Sequence, residues 1–260
     1  MKSICKNIRR QILHGAKESG HGHIPTCFSI VEILWAVYQV LRYDPHNPLW
    51  PERDLFILSK GHGALAHYCV LAQLGYFDPG KITTMGLFES DLGCHADRFK
   101  VPGIEASTGS LGHGIGLAVG MALALKIEES DRRVVTLIGD GEANEGSVWE
   151  ALLVASNLQL PNMTVIYDDN RSHSRGLQIV DPAEKLLAFG CDVTEVDGHD
   201  TEALIEANKY RGERVHAIIA HTRKGYGCPT FMENPYEWHR RSPNENEYRS
   251  LLEELDAETV

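Results

Sequence analysis

The sequence predicts an α/β fold, a parallel sheet flanked by helices on both faces. Three observations lead there. Two short β-branched runs, VVTLIGD (Val134–Asp140) and MTVIYD (Met163–Asp168), bracket NEGSVWEALLVASNL (Asn144–Leu158), which reads as a helix. The runs are almost wholly apolar rather than alternating, as strands buried on both faces must be. CDVTEVDG (Cys191–Gly198) and VHAIIAHT (Val215–Thr222) add two strands, with a helix expected after Asp200 between them.

The remaining elements follow in chain order. CFSIVEILWAVYQVL (Cys27–Leu41) has apolar residues at helical spacing and predicts one amphipathic helix. GALAHYCVLAQLG (Gly63–Gly75) predicts a second, capped by Gly75. LGHGIGLAVGMALALKIEES (Leu111–Ser130) predicts a third. Glycine costs helix stability, so Gly114, Gly116 and Gly120 imply close approach of a ligand or a neighbouring helix. The short connections around Asn144–Leu158 argue a right-handed strand–helix–strand unit. Asn244–Val260 reads as an acidic helix or tail. With no internal repeat, low-complexity tract or linker, residues 1–260 read as a single domain.

Bulk properties narrow the function. The 260 residues are 43% hydrophobic and 23% charged, enough to bury a substantial core. A formal net charge of −11 argues against nucleic acid or an anionic membrane as partner. No apolar run approaches the roughly 20 residues of a membrane span. The amino-terminal MKSICKNIRRQILHGAK lacks the apolar core of a signal peptide, so a cytoplasmic location is expected. The six cysteines form no CxxC pair and read as reduced, mostly buried thiols.

Asp140 ends one predicted strand, and Asn170 follows the end of the next, 30 residues on. In parallel sheets ligands bind outside the carboxyl ends of the strands, so these two side chains are expected to meet. A carboxylate and an amide oxygen are hard donors that suit Mg²⁺ or Ca²⁺ rather than zinc. Two side chains leave an octahedral ion incomplete, which predicts a metal-bridged phosphate or diphosphate. The glycines of GDGE (Gly139–Glu142) would let backbone N–H groups approach it, at the positive end of the helix starting near Asn144. Taken separately, Gly-Asp-Gly and Asp-Asp-Asn are also ordinary turn strings. His21 and His23 could be read as a zinc pair, but no third and fourth ligands stand out.

At this point the sequence resembles the thiamine-diphosphate enzymes, whose motif opens with Gly-Asp-Gly and closes in Asn about 30 residues later. More specifically it is similar to the amino-terminal half of transketolase. The matching pieces are SGHGH (Ser19–His23), ILSKGHGALAHY (Ile57–Tyr68), PGIEASTGSLGHGIGLAVGMALA (Pro102–Ala124), GDGEANEG, and Trp238–His239. The resemblance implies a diphosphate-binding domain that takes thiamine diphosphate and Mg²⁺, with Ca²⁺ or Mn²⁺ as substitutes. It implies Asp140, Asn170 and the Ser172 carbonyl as metal ligands. Gly109, Ser110, Leu111 and Gly112 would lie against the cofactor, as would Gly139, Gly141 and Glu142. Glu145 would join a subunit-contact network near it. His62 would lie near the cofactor phosphates and His95 at the donor's first hydroxyl. His21 and His239 would flank the third hydroxyl. Histidine titrates near neutrality and suits proton transfer there. His14, His46, His216 and His221 read instead as ordinary surface or core histidines.

The resemblance also implies what this sequence lacks. The family needs a pyrimidine-binding domain carrying the glutamate that activates the cofactor. That domain is expected on a partner, a carboxy-terminal transketolase subunit, in a heterotetramer acting on a sugar or keto substrate. The implied reaction is transfer of a two-carbon ketol unit from a ketose to an aldehyde. A related carbon–carbon ligase, or a cofactor-binding subunit without turnover, are the alternatives. Departures from the family pattern at Gly93–Asp97, His113, His173, Arg175, Arg240 and Arg241 point to a specialised substrate.

Overall fold

The computed structural model describes residues 2–172 and 176–257. His173, Arg175 and the end of the Asn244–Val260 segment lie outside the described residues. Five parallel strands form one sheet in the order β1-β2-β3-β5-β4. They are β1 (Leu55–Leu58), β2 (Val134–Gly139), β3 (Met163–Asp169), β4 (Asp192–Asp197) and β5 (His216–His221). Alternate residues of each central strand enter opposite cores, as the two-residue period of a strand requires. Val135, Leu137, Ile166, Ile218 and Ala220 face one apolar cluster; Val134, Ile138, Val165, Tyr167, Ala217 and Ile219 face the other.

The first cluster lies under α1 (Lys2–Ser19), α2 (Ile24–Ser29), α3 (Val31–Tyr38), α4 (Ala64–Gln73), α8 (Thr201–Lys209) and α10 (Glu245–Ala257). The second lies under α5 (Gly114–Ile127), α6 (Gly146–Asn157) and α7 (Pro182–Ala188). A short α9 (Pro229–Glu233) precedes the turn that carries Trp238. The expected three-layer arrangement is therefore the one observed. Asp200 starts α8 as a cap, its carboxylate accepting from the N–H groups of Glu202 and Ala203.

Several boundaries differ from the sequence reading. The single helix expected over Cys27–Leu41 is two, α2 and α3, broken at Ile30. The Ser29 hydroxyl there donates to the Thr26 carbonyl at 2.9 Å, a side-chain bond that competes with the helical ladder. The α5 helix starts at Gly114, not Leu111, because positive φ at Gly112 turns the chain before it. The expected elements did not include α1 or β1. In α1 the buried Cys5, Ile8, Ile12, Leu13 and Ala16 form one stripe, diluted in sequence by cations on the other face. β1 is only four residues long.

Candidate active site

The carboxyl ends of β1, β2, β3 and β5 deliver Ser59–His62, Asp140, Asn170 and Thr222 to one edge of the sheet. Asp168 organises that edge from within. Its carboxylate is fully buried and pairs with the Lys60 ammonium. It also accepts from the Thr222 hydroxyl, from the Asn170 amide at 2.7 Å and from the Ser29 hydroxyl at 3.4 Å. Four elements are thus pinned to one charge, and a buried carboxylate needs that many partners.

Asp140 and Asn170 stand on either side of this hub. The Asp140 N–H donates to the Asp168 carbonyl at 3.1 Å, and its carboxylate accepts from the Gly141 N–H at 2.6 Å. The Asn170 amide nitrogen is spent on Asp168, which fixes which way its oxygen points. That oxygen accepts from the Ser172 N–H at 3.0 Å and from the Ser172 hydroxyl. The two residues therefore stand at neighbouring strand tips, each bonded to Asp168. Among the described residues no three His, Cys, Asp or Glu side chains gather as a metal site. A cation here must use one carboxylate, one amide oxygen, a main-chain oxygen and ligand oxygens, the donor set of Mg²⁺ bound with phosphate.

Lys224 supports that fit. Its ammonium donates to the Ser172 hydroxyl at 2.9 Å. Its pKa is lowered to about 8, by burial first and then by Lys60, with Asp140 and Asp168 opposing the change only in part. A cation under-compensated in this way favours an anion beside it, and the residues present fit a metal-bound diphosphate.

Glu142 is drawn into the fold. Its carboxylate accepts from the Ser59 hydroxyl at 2.5 Å, the Gly112 N–H at 2.8 Å and the Gly139 N–H at 3.2 Å. Burial raises its pKa, and those three bonds oppose the rise. It ties the Gly109–Gly112 turn to the tips of β1 and β2. Gly114 packs so closely on Ser59 that a Cβ would lie 2.6 Å from its backbone. A Cβ at Gly116 or Gly120 would meet open space, so those two leave a smooth outer face on α5. Glu145 is exposed at the start of α6, where a subunit contact could reach it.

The histidines form a cluster. His23, His62 and His239 gather with ring centroids 5.3 Å (His23–His62), 4.9 Å (His23–His239) and 6.2 Å (His62–His239) apart. His95 lies against Gly109 close by, near enough to His23 to lower its pKa. His21 lines the same cavity, but its ring faces Gly86 and Cys94 rather than the cluster. Of the two histidines of SGHGH, His23 makes the ring contacts with His62 and His239, while His21 lines the cavity beside them. His23 has a left-handed φ of 65°, and its N–H donates to the His239 carbonyl at 3.0 Å, which joins the two turns that carry the rings.

Burial and neighbouring cations keep the cluster neutral. The His23 pKa falls to about 4, first through burial and then through its neighbours His239, His95, Arg240 and Lys224. His62 lies well below the ordinary value through burial, with Lys60 next, and His239 is lowered by burial and Lys224. The Nδ1 atoms of His23 and His239 are buried and find no partner among the described residues. Neutral imidazoles with open nitrogens can bind hydroxyls and accept protons. Elsewhere His216 is a core histidine bonded to Thr194 at 2.9 Å, and His221 bridges Asp169 and Glu195.

Sequence reasoning missed His23, Lys60, Asp168 and Lys224 as parts of the site. The available signal was position: all but His23 sit at or just past a strand's carboxyl end.

The fold and this edge define a class of protein, an α/β domain whose polar, ligand-accepting edge lies at the carboxyl ends of a parallel sheet. The chain belongs to the family described as transketolase, thiamine diphosphate binding domain, which it matches over residues 1–256. It is 40% identical to one subunit of the apulose-4-phosphate transketolase of Actinobacillus succinogenes, over 99% of this chain and 96% of that protein. It is 37% identical to the 6-deoxy-6-sulfo-D-fructose transketolase subunit SqwG of a Clostridium species, over 96% of this chain and 94% of that one. Among solved structures it is similar to transketolase from Campylobacter jejuni, with a TM-score of 0.89 at 25% identity. The match covers 98% of this chain and 43% of that one, so the chain spans less than half of that transketolase.

Proposed function

We propose that this chain is the diphosphate-binding half of a two-chain ketol transferase, moving a two-carbon unit from a ketose donor to an aldehyde acceptor. The observation that carries the reading is that the His23–His62–His239 cluster lies beside the Asp140–Asn170 strand tips, with Lys224 influencing both. Proton-handling groups and an anion-holding edge are thereby in one site. When bound, thiamine diphosphate supplies an electron sink for cleavage of a carbon–carbon bond beside a carbonyl. Asp140, Asn170 and the Ser172 carbonyl would hold Mg²⁺, and Lys224 the diphosphate. The Gly109–Gly112 turn would support the cofactor from the other side.

The chain's own residues then bind and deprotonate the sugar. His23 and His239 hold the donor's third hydroxyl and accept its proton as the bond breaks. His62 and His95 hold the first hydroxyl. His23 takes the role that the resemblance implied for His21. Neutral rings suit base chemistry near pH 7.

The partner is a chain bearing the pyrimidine-binding domain. Support comes from the relatives named as subunits and from the surface. The α5 and α6 helices pack together, and Leu117, Ile127, Leu153 and Val154 on them are exposed. Phe88 and Phe99, which flank the turn carrying His95, are 94% and 88% exposed. Exposed apolar side chains in this number mark an interface. No helix among the described residues is long and apolar enough to cross a membrane. The two subunit relatives are named for sugars bearing a phosphate or a sulfo group, and we propose an anionic ketose as the donor here also. The test is reconstitution: this chain, its partner, thiamine diphosphate and Mg²⁺ with a panel of ketose donors. Ketol transfer should require both chains, and absence of transfer from every donor would contradict the reading.

A further inference from the structure

Arg240 and Arg241 follow one another in sequence, but the fold separates their roles. Arg241 is committed. Its guanidinium pairs with Glu237 at 3.1 Å and Glu247 at 2.9 Å and lies 3.6 Å over the Trp238 ring. Among the described residues Arg240 makes no hydrogen bond, ion pair or ring contact, although it lines the cavity of about 100 Å³ formed with His21, Gly22, His23, His62 and Cys94. The same cavity is lined by no carboxylate.

The backbone that presents Arg240 is fixed. A Cβ at Gly22 would lie 2.8 Å from the Arg240 carbonyl oxygen, so the two turns are in van der Waals contact. The His23 N–H to His239 carbonyl bond, 3.0 Å long, closes the same junction one residue away. The Arg240 main chain is thus held at a set distance from the histidine cluster while its side chain stays solvated and unpaired. Its charge is felt there, since it depresses both His23 and His239. Lys60 and Lys224 also act on His62, so cations gather about the cluster in a chain whose formal net charge is −11.

We propose that Arg240 is a specificity residue, pairing with a terminal tetrahedral oxyanion on the sugar while the histidines hold its hydroxyls. A planar guanidinium engages two oxygens of a phosphate or sulfonate at once, and an unpaired one gives up no existing partner to do so. The proposal rests on the ketol-transfer reading above and names the residue that recognises the donor's anionic group.

The test uses the cofactor-loaded two-chain complex, with a ketose phosphate and the same ketose without phosphate. Arg240→Gln should raise KM for the phosphorylated sugar about tenfold or more and change the neutral one by less than about twofold. Arg240→Lys should recover part of the loss, and Arg241→Gln should leave the ratio between the sugars unchanged. Equal effects on both sugars, or none, overturn the proposal. So does a loss of complex assembly in Arg240→Gln, which would make Arg240 a partner contact. If the wild-type complex transfers from neither sugar, the activity reading has failed, and calorimetric titration with inorganic phosphate and with sulfate decides Arg240 separately. Weaker binding of either anion to Arg240→Gln supports the proposal, and unchanged binding of both overturns it.

Discussion

The Lys60 ammonium and the Asp168 carboxylate form an ion pair with side chains 1% and 0% exposed, joining the end of β1 to the end of β3 beneath the site. The pair stands where a dehydrated carboxylate is also bonded to Asn170 and Thr222. It therefore ties together the strand tips that carry Asp140 and Asn170.

Breaking that pair should unfold the edge. Lys60→Met leaves Asp168 buried without its cation, at a cost of about 3–5 kcal/mol. Chemical denaturation should show the loss in midpoint. In whatever folded fraction remains, His62 should titrate higher, because Lys60 is one of the charges that depress it. A variant as stable as the wild type would mean that the pair is not structural.

Asp140→Ala is expected to behave differently. Its carboxylate sits on the turn after β2, bonded to the adjacent Gly141 N–H. The fold should be kept, while Mg²⁺-dependent binding of thiamine diphosphate falls by about 100-fold or more. Calorimetry of the assembled complex with and without Mg²⁺ is the measurement; cofactor affinity equal to wild type removes the metal assignment.

The two histidines of SGHGH should separate in kinetics. His23→Ala should lower kcat/KM by about 10²-fold or more, as expected for a proton-transfer group, and His21→Ala by less than about tenfold. Steady-state rates on one donor compare them directly. The reverse order would restore His21 to the cluster's role.

Stability should fall in mild acid. Burial depresses His67 to about 3 and His216 to about 4, and both side chains are interior. Their folded pKa values lie below the ordinary value near 6.5, so the unfolded chain binds protons first. Stability is then full above about pH 6.5 and is lost as pH falls toward about 4, by up to about 1.4 kcal/mol per pH unit for each histidine. Urea melts at pH 7 and pH 5 measure this, and equal midpoints would show that the two rings are solvated.

Turnover should need two chains. The exposed Leu153 on α6 is a suitable site for Leu153→Glu, which should leave the isolated chain folded and weaken the complex, as read by ultracentrifugation. Full ketol transfer by this chain alone contradicts the two-chain reading.

The sequence by itself determined the layered α/β class, since VVTLIGD and MTVIYD are too apolar to be anything but strands covered on both faces. It also placed Asp140 and Asn170 at strand ends, because a strand–helix–strand unit has one possible edge for both. It could not show that His23, beside His21, packs against His62 and His239. They are two residues apart in one turn, and the packing depends on the His23 φ of 65° and a bond to His239, 216 positions away in sequence. Nor could it see Asp168 as a hub, because an aspartate at a strand end looks the same whether it faces solvent or a lysine from another strand. Arg240 and Arg241 looked alike for the same reason. Chain position gave each a charge, and only packing against Trp238, Glu237 and Glu247 on one side, and the histidine cavity on the other, gave those charges different surroundings. Local pattern follows from the covalent repeat of a strand or helix, whereas the partner of a buried charge is decided by which distant segments the fold brings beside it.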